Sequence, residues 1–175
     1  MFFPCNPSAM SIHHHKFYQM ERDPKWAAEV CMIGFRCLAH RINGRIDLWT
    51  RDQMRITASL PELRRQIKDM IPEKTILDGV LFGEGKKDHY FVFDIPELKG
   101  KGAGVLHQRH KLLRTLYHGQ PLIQIAEQFD NPYRLWSDVR LMPKVNGIIL
   151  KYLESNYLIS YNRRKITHHW IKITP

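Results

Sequence analysis

Hydrophobic and polar positions alternate in short runs along much of the chain, a pattern typical of half-buried strands. Such runs predict strands over 27–33, 35–42 and 45–51. The last two flank Asn43-Gly44, a dipeptide that favours a two-residue β-hairpin turn. Short apolar or aromatic runs predict five further strands, at 75–83, 88–95, 122–129, 145–153 and 168–174.

Two segments follow a helical period instead. Residues 60–71 place apolar side chains at 60, 63, 67, 70 and 71, with Pro61 in the first turn. Residues 105–118 form an amphipathic pattern with a basic face, and residues 131–144 predict an irregular or short helical connection. Strands outnumber helices and mostly follow one another as hairpins. We therefore predict an α+β fold of antiparallel sheets flanked by helices.

The 175 residues are enough for one domain with a sizeable core. Residues 1–25 are interrupted by prolines and show no period, so we predict an N-terminal arm there and a domain over 26–175. No apolar run approaches the roughly 20 residues of a membrane span. The first residues lack the pattern of a secretion signal. We expect a cytoplasmic protein with no membrane partner.

The charge of the chain adds a functional indication. Lys and Arg number 27 against 17 Asp and Glu, a formal net charge of +10. This excess favours a polyanionic partner, because cations that neutralise phosphates release condensed counterions. Basic residues concentrate at 41–55, 99–114 and 162–165, which predicts a nucleic-acid surface. Three cysteines fit neither disulfide nor zinc spacing, and adjacent histidines point to alternate faces of a strand, so no metal site is expected.

Seven short motifs succeed one another along the chain. They are CMIGFR (31–36), NGRIDLWTR (43–51), LDGVLF (77–82), YFVFD (90–94), HQRHKLL (107–113), NGIILK (146–151) and WIKIT (170–174). In order and spacing they resemble the adenylation domain of ATP-dependent DNA ligases, within the covalent nucleotidyltransferase superfamily. The resemblance covers about residues 17–175 and implies the fold of that domain. In the family an OB-fold domain follows the last motif, whereas this chain ends at Pro175, so we expect no OB-fold domain.

The resemblance also implies a chemistry and shows where the chain departs from it. In the family a lysine amine attacks the α-phosphate of ATP, while carboxylates hold the divalent metal. Here other residues stand at the positions of the lysine, the three carboxylates and the final lysine, and we expect no catalytic role for them: Cys31, Ile33, Val80, Asn146 and Thr174. Cys31 lies in an apolar strand that raises a thiol pKa, so we expect an inert thiol.

Other family positions keep their residue type. The resemblance implies that Arg36 contacts ribose, that Phe93 stacks on adenine and that Lys151 and Lys172 contact phosphates. Core packing of Phe93 and a solvated strand end for Arg36 and Lys151 are the alternatives. Five basic residues are expected to contact nucleic acid: Arg51, Arg109, Arg163, Arg164 and Lys165.

Three functions follow as hypotheses. The favoured one is an inactive ligase-like domain that binds nucleic acid, duplex DNA in preference to RNA, with no required cofactor and with nucleotide binding in the vestigial pocket left open. The second is an active ligase or nucleotidyltransferase that uses ATP and Mg²⁺ with an unusual nucleophile or a partner chain. The third is a scaffold or inhibitor that uses the ligase fold to contact another protein.

Overall fold

The computed structural model describes residues 2–56, 60–84, 87–163 and 165–174. Its helices are α1 (His15–Glu21), α2 (Pro61–Met70), α3 (Leu106–Leu116) and α4 (Pro132–Val139). Its strands are β1 (Phe3–Pro4), β2 (Asn6–Ser11), β3 (Trp26–Met32), β4 (Phe35–Ile42), β5 (Arg45–Thr50), β6 (Thr75–Glu84), β7 (Lys87–Leu98), β8 (Lys101–Gly102), β9 (Ile123–Ile125), β10 (Val145–Tyr152), β11 (Ile159–Ser160) and β12 (Ile166–Thr174).

Two main sheets organise these strands. The larger has the order β5-β4-β6-β7-β8, with β9 added parallel to β7. The smaller has the order β2-β12-β10-β3, in which only β2 runs parallel to its neighbour. A two-stranded ladder joins β1 to β11. The predicted α+β fold of antiparallel sheets flanked by helices is confirmed.

The β4–β5 hairpin forms where the sequence predicts it. Asn43 and Gly44 both have positive φ, 51° and 74°, which is the requirement of a type I′ turn. The turn sets the register Ile42↔Arg45, and the ladder continues to Cys37↔Thr50. This register fixes which side chains of β4 point to each face of the larger sheet.

Each sheet packs one face against helices. Helices α2 and α3 cover the larger sheet with Leu63, Ile67 and Leu113 among the buried contacts. Helices α1 and α4 cover the smaller sheet, where Phe17 and Trp136 pack on its strands. Side chains of the two sheets contact each other, since Arg36 of β4 lies over the Trp170 ring of β12 and Lys151 of β10 donates to the Phe93 carbonyl of β7. We name the region between the sheets the inter-sheet cleft. Among the described helices, none is both long and apolar enough to cross a membrane.

The N-terminal residues, predicted as an arm leading into the domain, contain β1, β2 and α1. Strand β2 pairs with β12 at the edge of the smaller sheet, and Phe17 of α1 is fully buried. The pairing is parallel and shifts register between Thr167 and Ile171, so it leaves no simple alternation in the sequence. The predicted strand over 122–129 is likewise reduced to β9, because the chain leaves β7 after Ala126 donates to the Val92 carbonyl.

Candidate functional site

The inter-sheet cleft contains a fixed arginine. Arg36 on β4 and Asp78 on β6 form a two-pronged ion pair, with Nε–Oδ1 at 3.1 Å and Nη2–Oδ2 at 2.6 Å. The remaining terminal nitrogen, Nη1, donates to the backbone carbonyl of Cys5 at 2.5 Å. Burial alone would lower the pKa of Arg36, but Asp78 and Tyr157 act more strongly together and raise it. The guanidinium is therefore a permanent cation whose nitrogens all have partners.

A second ion pair lies on the opposite wall of the cleft. Nζ of Lys151 on β10 is 2.6 Å from Oε2 of Glu29 on β3 and donates to the Phe93 carbonyl at 2.9 Å. Gln128 donates to the other carboxylate oxygen of Glu29 at 3.0 Å. Sequence reasoning missed Glu29, although a carboxylate inside an apolar strand is a signal that a buried cation is needed.

Two aromatic rings lie between these cations. Phe93 and Trp170 meet edge to face, with ring centroids 5.9 Å apart. The Arg36 guanidinium lies 5.4 Å from the Phe93 centroid, and Nζ of Lys151 lies 4.8 Å from it and 4.4 Å from that of Trp170. These distances are typical of cation–π contacts, in which a cation lies over the face of an aromatic ring. The Phe93 ring, expected to stack on adenine, is occupied by contacts with protein cations in this structure.

One end of the cleft is closed by the N-terminal segment, Phe2–Cys5. Phe2 is 2% exposed and packs edge to face on Tyr157, and β1 pairs with β11 beside it. The Tyr157 hydroxyl donates to Oδ2 of Asp78 at 2.5 Å. Burial, and next the Asp78 charge, raise the pKa of Tyr157. A segment that the sequence assigns to a separate arm thus completes the wall around Arg36.

The thiol of Cys31 lies in an environment that opposes its ionisation. Cys31 is partly buried on β3, and burial raises its pKa, although Lys172, Lys151 and Arg36 act in the opposite direction. Burial therefore favours the neutral thiol over the thiolate. Of the other motif positions, Ile33 is 54% exposed and Val80 is half-buried.

Two motif glycines are required by the packing of neighbouring strands. A Cβ at Gly34 would collide with the backbone carbonyl of Leu81 and with the side chain of Val80. A Cβ at Gly79 would lie 2.5 Å from the Phe91 carbonyl oxygen. These glycines let neighbouring strands approach closely, so they preserve the fold whether or not the site reacts.

Asn146 and Thr174 come together outside the cleft. They line a pocket of about 470 Å³ at the end of the smaller sheet, which we name the end pocket. Helices α1 and α4 supply its other walls, including Tyr18, Tyr133, Trp136 and Arg140. Sequence reasoning did not predict this pocket, because residues 13–18 and 133–140 are brought together only by the fold.

The residues expected to contact nucleic acid divide into two groups. Arg51 is exposed and lies 3.7 Å from Asp52, and Arg163 and Lys165 are exposed as well. Arg164 lies outside the described residues. Arg109, by contrast, is fully buried, and its guanidinium binds Asp94 at 2.7 and 3.0 Å.

The expected nucleic-acid contact of Arg109 is therefore corrected. Its Nη1 also donates to the carbonyls of Gly104 and Ser155, both at 2.8 Å. These bonds tie α3 to the loop after β10 and to β7. The helical position that suggested a surface arginine from the sequence faces the interior, because Asp94 provides a buried carboxylate for it.

A basic groove lies on the outside of the domain, between β5 and α2. It has a volume of about 330 Å³, and its charged lining is five cations and one carboxylate: Arg45, Arg55, Arg64, Arg65, Lys68 and Asp47. Asp47 pairs with Arg55 at 2.6 Å and Arg45 at 3.5 Å. Arg65 pairs with Glu62 and Asp69 on its own helix. Positive charge remains in excess.

Comparison with known proteins finds similarity to DNA ligases and a DNA ligase-like protein. No family model matches the chain. It is 25% identical over 182 residues to the SPbeta prophage-derived DNA ligase-like protein LigB of Bacillus subtilis, covering 91% of this chain and 64% of LigB. It is 26% identical over 180 residues to the multifunctional non-homologous end joining protein LigD of Pseudomonas aeruginosa, covering 88% of this chain and 21% of LigD. The chain thus spans less than two thirds of either relative.

Solved structures show the same similarity at the level of the fold. The ligase domain of Mycobacterium tuberculosis LigD superposes with a TM-score of 0.73 at 20% identity, over 98% of this chain and 58% of that domain. A mycobacterial DNA ligase D complexed with ATP and MES superposes with a TM-score of 0.68 at 21% identity, over 97% of this chain and 60% of that chain. A Lig E DNA ligase, described as binding DNA with a minimal scaffold, superposes with a TM-score of 0.64 at 16% identity, over 97% of this chain and 69% of that chain. The chain therefore has the nucleotidyltransferase fold of the ligase domain of ATP-dependent DNA ligases.

Proposed function

We propose that this chain is a DNA-ligase-like domain that does not form a covalent AMP intermediate and that binds nucleic acid through its basic surface. The absence of a covalent intermediate is supported by the two candidate nucleophiles of the inter-sheet cleft. By the motif resemblance Cys31, whose pKa is raised, stands at the position of the family lysine, and the buried amine of Lys151 is paired with Glu29. A protonated thiol and an ion-paired amine are both poor nucleophiles.

The cleft also does not fit a magnesium-bound triphosphate. Its carboxylates Asp78 and Glu29 hold Arg36 and Lys151, and Asp94 holds Arg109. Mg²⁺ would require carboxylate oxygens that are free to face it. The Arg36 nitrogens are likewise used by Asp78 and by the Cys5 carbonyl. We therefore propose that the domain requires no cofactor.

Surface charge supports the second half of the proposal. The buried cations Arg36, Arg109 and Lys151 are each paired with a carboxylate, so the excess positive charge of the chain is carried by other side chains. The basic groove and the exposed side chains of Arg51, Arg163 and Lys165 are available to phosphates. The Lig E ligases, described as binding DNA with a minimal scaffold, offer a parallel for binding by a small ligase fold. We propose duplex DNA in preference to RNA.

Salt-dependent binding tests this proposal. Fluorescence anisotropy with a labelled DNA duplex, and with an RNA duplex of equal length, would be measured across a salt series. Arg45→Gln and Lys68→Gln remove exposed cations of the basic groove, and Lys25→Gln removes an exposed cation elsewhere. Each lost phosphate contact should reduce the slope of log K against log salt by about 0.9. The control should keep the wild-type slope.

The outcomes separate the proposal from its alternatives. Steep salt dependence that weakens in the two groove variants supports nucleic-acid binding at this surface. Absence of salt-dependent binding to either duplex contradicts it. A loss of affinity in Lys25→Gln as large as that in the groove variants would place the contact elsewhere and overturn the role of the groove.

A protein-binding role is the second candidate, favoured by exposed apolar side chains near the cleft. Phe35 is 81% exposed and Leu141 is 85% exposed, and the backbone of Ile33 bonds to the carbonyl of Lys144 beside Met142. Exposed apolar clusters mark many protein contacts. Cross-linking of the chain in a native extract, reduced by Phe35→Ser and unaffected by salt, would support this role.

A further inference from the structure

The end pocket is built by two capped helices and the ends of two strands. His14 caps α1 by accepting from the backbone N–H of Lys16, and Asn131 caps α4 by accepting from that of Arg134 at 2.9 Å. Helix α4 also begins with Pro132, which favours a first helical turn. These start signals fix where Tyr18 and Tyr133 leave their helices. The pocket between them is therefore a defined part of the fold.

Its inner wall depends on a close contact between Trp136 and Gly147. Gly147 has a φ of 87°, and a Cβ there would lie 2.9 Å from the Trp136 ring and 2.6 Å from the Ile173 carbonyl oxygen. The indole therefore packs on bare backbone at the start of β10 and is only 8% exposed. This packing leaves Asn146 exposed beside the ring, at the mouth of the pocket.

The outer rim of the pocket is aromatic and carries positive charge. Tyr18 is 45% exposed and Tyr133 is 51% exposed. Arg140 is exposed at the end of α4, while the acidic residue of that helix, Asp138, lies 3.9 Å from Arg134. None of the described lining residues is a carboxylate. Two half-exposed aromatic rings beside an arginine suit a ligand with a flat ring and a phosphate.

We propose that the end pocket takes one unpaired nucleotide of a nucleic-acid strand. Its base would stack on Tyr18 or Tyr133, its phosphate would pair with Arg140, and Asn146 and Thr174 would meet the polar edge of the base. The volume of about 470 Å³ suits a ligand of that size. The proposal rests on nucleic-acid binding as the function of the domain and adds a preference for strands with an unpaired end.

Matched oligonucleotides test this preference on the full chain. One duplex has a single unpaired 2-aminopurine nucleotide at its end, and the other is blunt with 2-aminopurine at the terminal pair. Binding is measured by anisotropy and stacking by 2-aminopurine quenching, at one fixed salt concentration. We expect the overhang to bind about tenfold more tightly, the effect of stacking one base on an aromatic ring.

Four variants locate the effect. Tyr18→Ala, Tyr133→Ala and Arg140→Gln should each reduce the preference for the overhang, measured as the ratio of its affinity to that of the blunt duplex. Tyr133→Phe keeps the ring and should keep the preference. Tyr161→Ala removes a tyrosine that is 67% exposed outside the pocket and serves as the control. Circular dichroism and thermal unfolding would verify that each variant is folded.

The results distinguish failure of this proposal from failure of the function beneath it. Salt-dependent duplex binding with equal affinity for both ends, unchanged in the alanine variants, overturns the end pocket alone. Absence of binding to any nucleic acid overturns both. Self-association of the wild type that Tyr133→Ala abolishes would assign the pocket to a protein contact, which also overturns the proposal.

Discussion

Nζ of Lys151 lies 2.6 Å from Oε2 of Glu29, and both side chains are almost fully buried between the two sheets. With the pairs Arg36–Asp78 and Arg109–Asp94, three cations of the interior are each matched by a carboxylate. Buried charges are tolerated only when they are paired and hydrogen-bonded. These three pairs neutralise buried charge locally, so the net positive charge of the chain is carried by its other cations.

The Lys151–Glu29 pair should behave as a unit in stability measurements. Glu29→Gln or Lys151→Met leaves one uncompensated buried charge, so each should lower the free energy of unfolding by about 3–5 kcal/mol. The double variant removes both charges and should lose less than the sum of the two. Urea denaturation of the three variants measures this coupling. Strict additivity would mean that the pair does not interact.

Arg109 and Arg51 should separate structural from surface arginines. Arg109→Lys disrupts the two-pronged contact with Asp94 and the bonds to two carbonyls, so it should lower unfolding free energy by about 3 kcal/mol or more. Arg51→Gln changes an exposed side chain and should alter stability by less than about 0.5 kcal/mol.

The same two variants should show the opposite order in nucleic-acid binding. Arg51→Gln is expected to weaken duplex binding and reduce its salt slope, whereas folded Arg109→Lys should bind as the wild type does. A fall in duplex affinity for folded Arg109→Lys, with no loss of stability, would restore a surface role for this arginine.

Phe2 should be important to stability, although it lies almost at the N-terminus. Its side chain is 2% exposed and packs against Leu38, Ile76 and Tyr157. Phe2→Ala should therefore lower the free energy of unfolding by about 3–5 kcal/mol, the usual cost of truncating a buried phenylalanine. Phe35→Ala, at a position that is 81% exposed, is the matched control and should change stability by less than about 0.5 kcal/mol. Equal effects of the two substitutions in thermal and urea unfolding would show that the N-terminal segment does not close the cleft.

The buried thiols give the domain a defined loss of stability in alkali. Burial, opposed by Arg36 and assisted by Asp78, raises the pKa of Cys5 from 9.0 to about 11. The folded state keeps this proton where the unfolded state loses it, so the stability present below pH 9 declines as pH rises to 11. The slope is at most about 1.4 kcal/mol per pH unit for each such group.

Cys5→Ala isolates this contribution. The variant should show a shallower decline of unfolding free energy between pH 9 and 11 than the wild type. Part of the decline should persist, because burial also raises the pKa of Cys37 to about 12. An identical slope in the variant would mean that the Cys5 thiol ionises equally in both states.

Local signals in the sequence were sufficient for most of the fold. Asn43-Gly44 predicts its own turn, and the spacing of apolar residues over 60–71 predicts α2, because both depend on neighbours in the chain. Strand β2 was missed because its conformation depends on parallel pairing with β12, more than 150 residues away. Edge strands of this kind carry little period of their own.

The candidate site was predicted in its positions but not in its partners. The motifs place Arg36, Phe93 and Lys151 near one another, and the structure brings them into one cleft. The sequence does not indicate that Lys151 pairs with Glu29 or that Arg36 donates to the Cys5 carbonyl, because these contacts join distant parts of the chain. The basic groove was missed for a similar reason: its arginines on β5 and α2 come together only when the helix packs on the sheet.

Intact-mass measurement after incubation with ATP and Mg²⁺ or Mn²⁺ tests the central claim most directly. The natural chain would be compared with a Cys31→Lys, Ile33→Asp variant and with an active ATP-dependent DNA ligase as the positive control. We expect no increase in mass for the natural chain under conditions in which the control gains one AMP. A gain of one AMP on the natural chain would contradict the account and identify an active nucleotidyltransferase, provided that a chain denatured before the addition of ATP shows no gain.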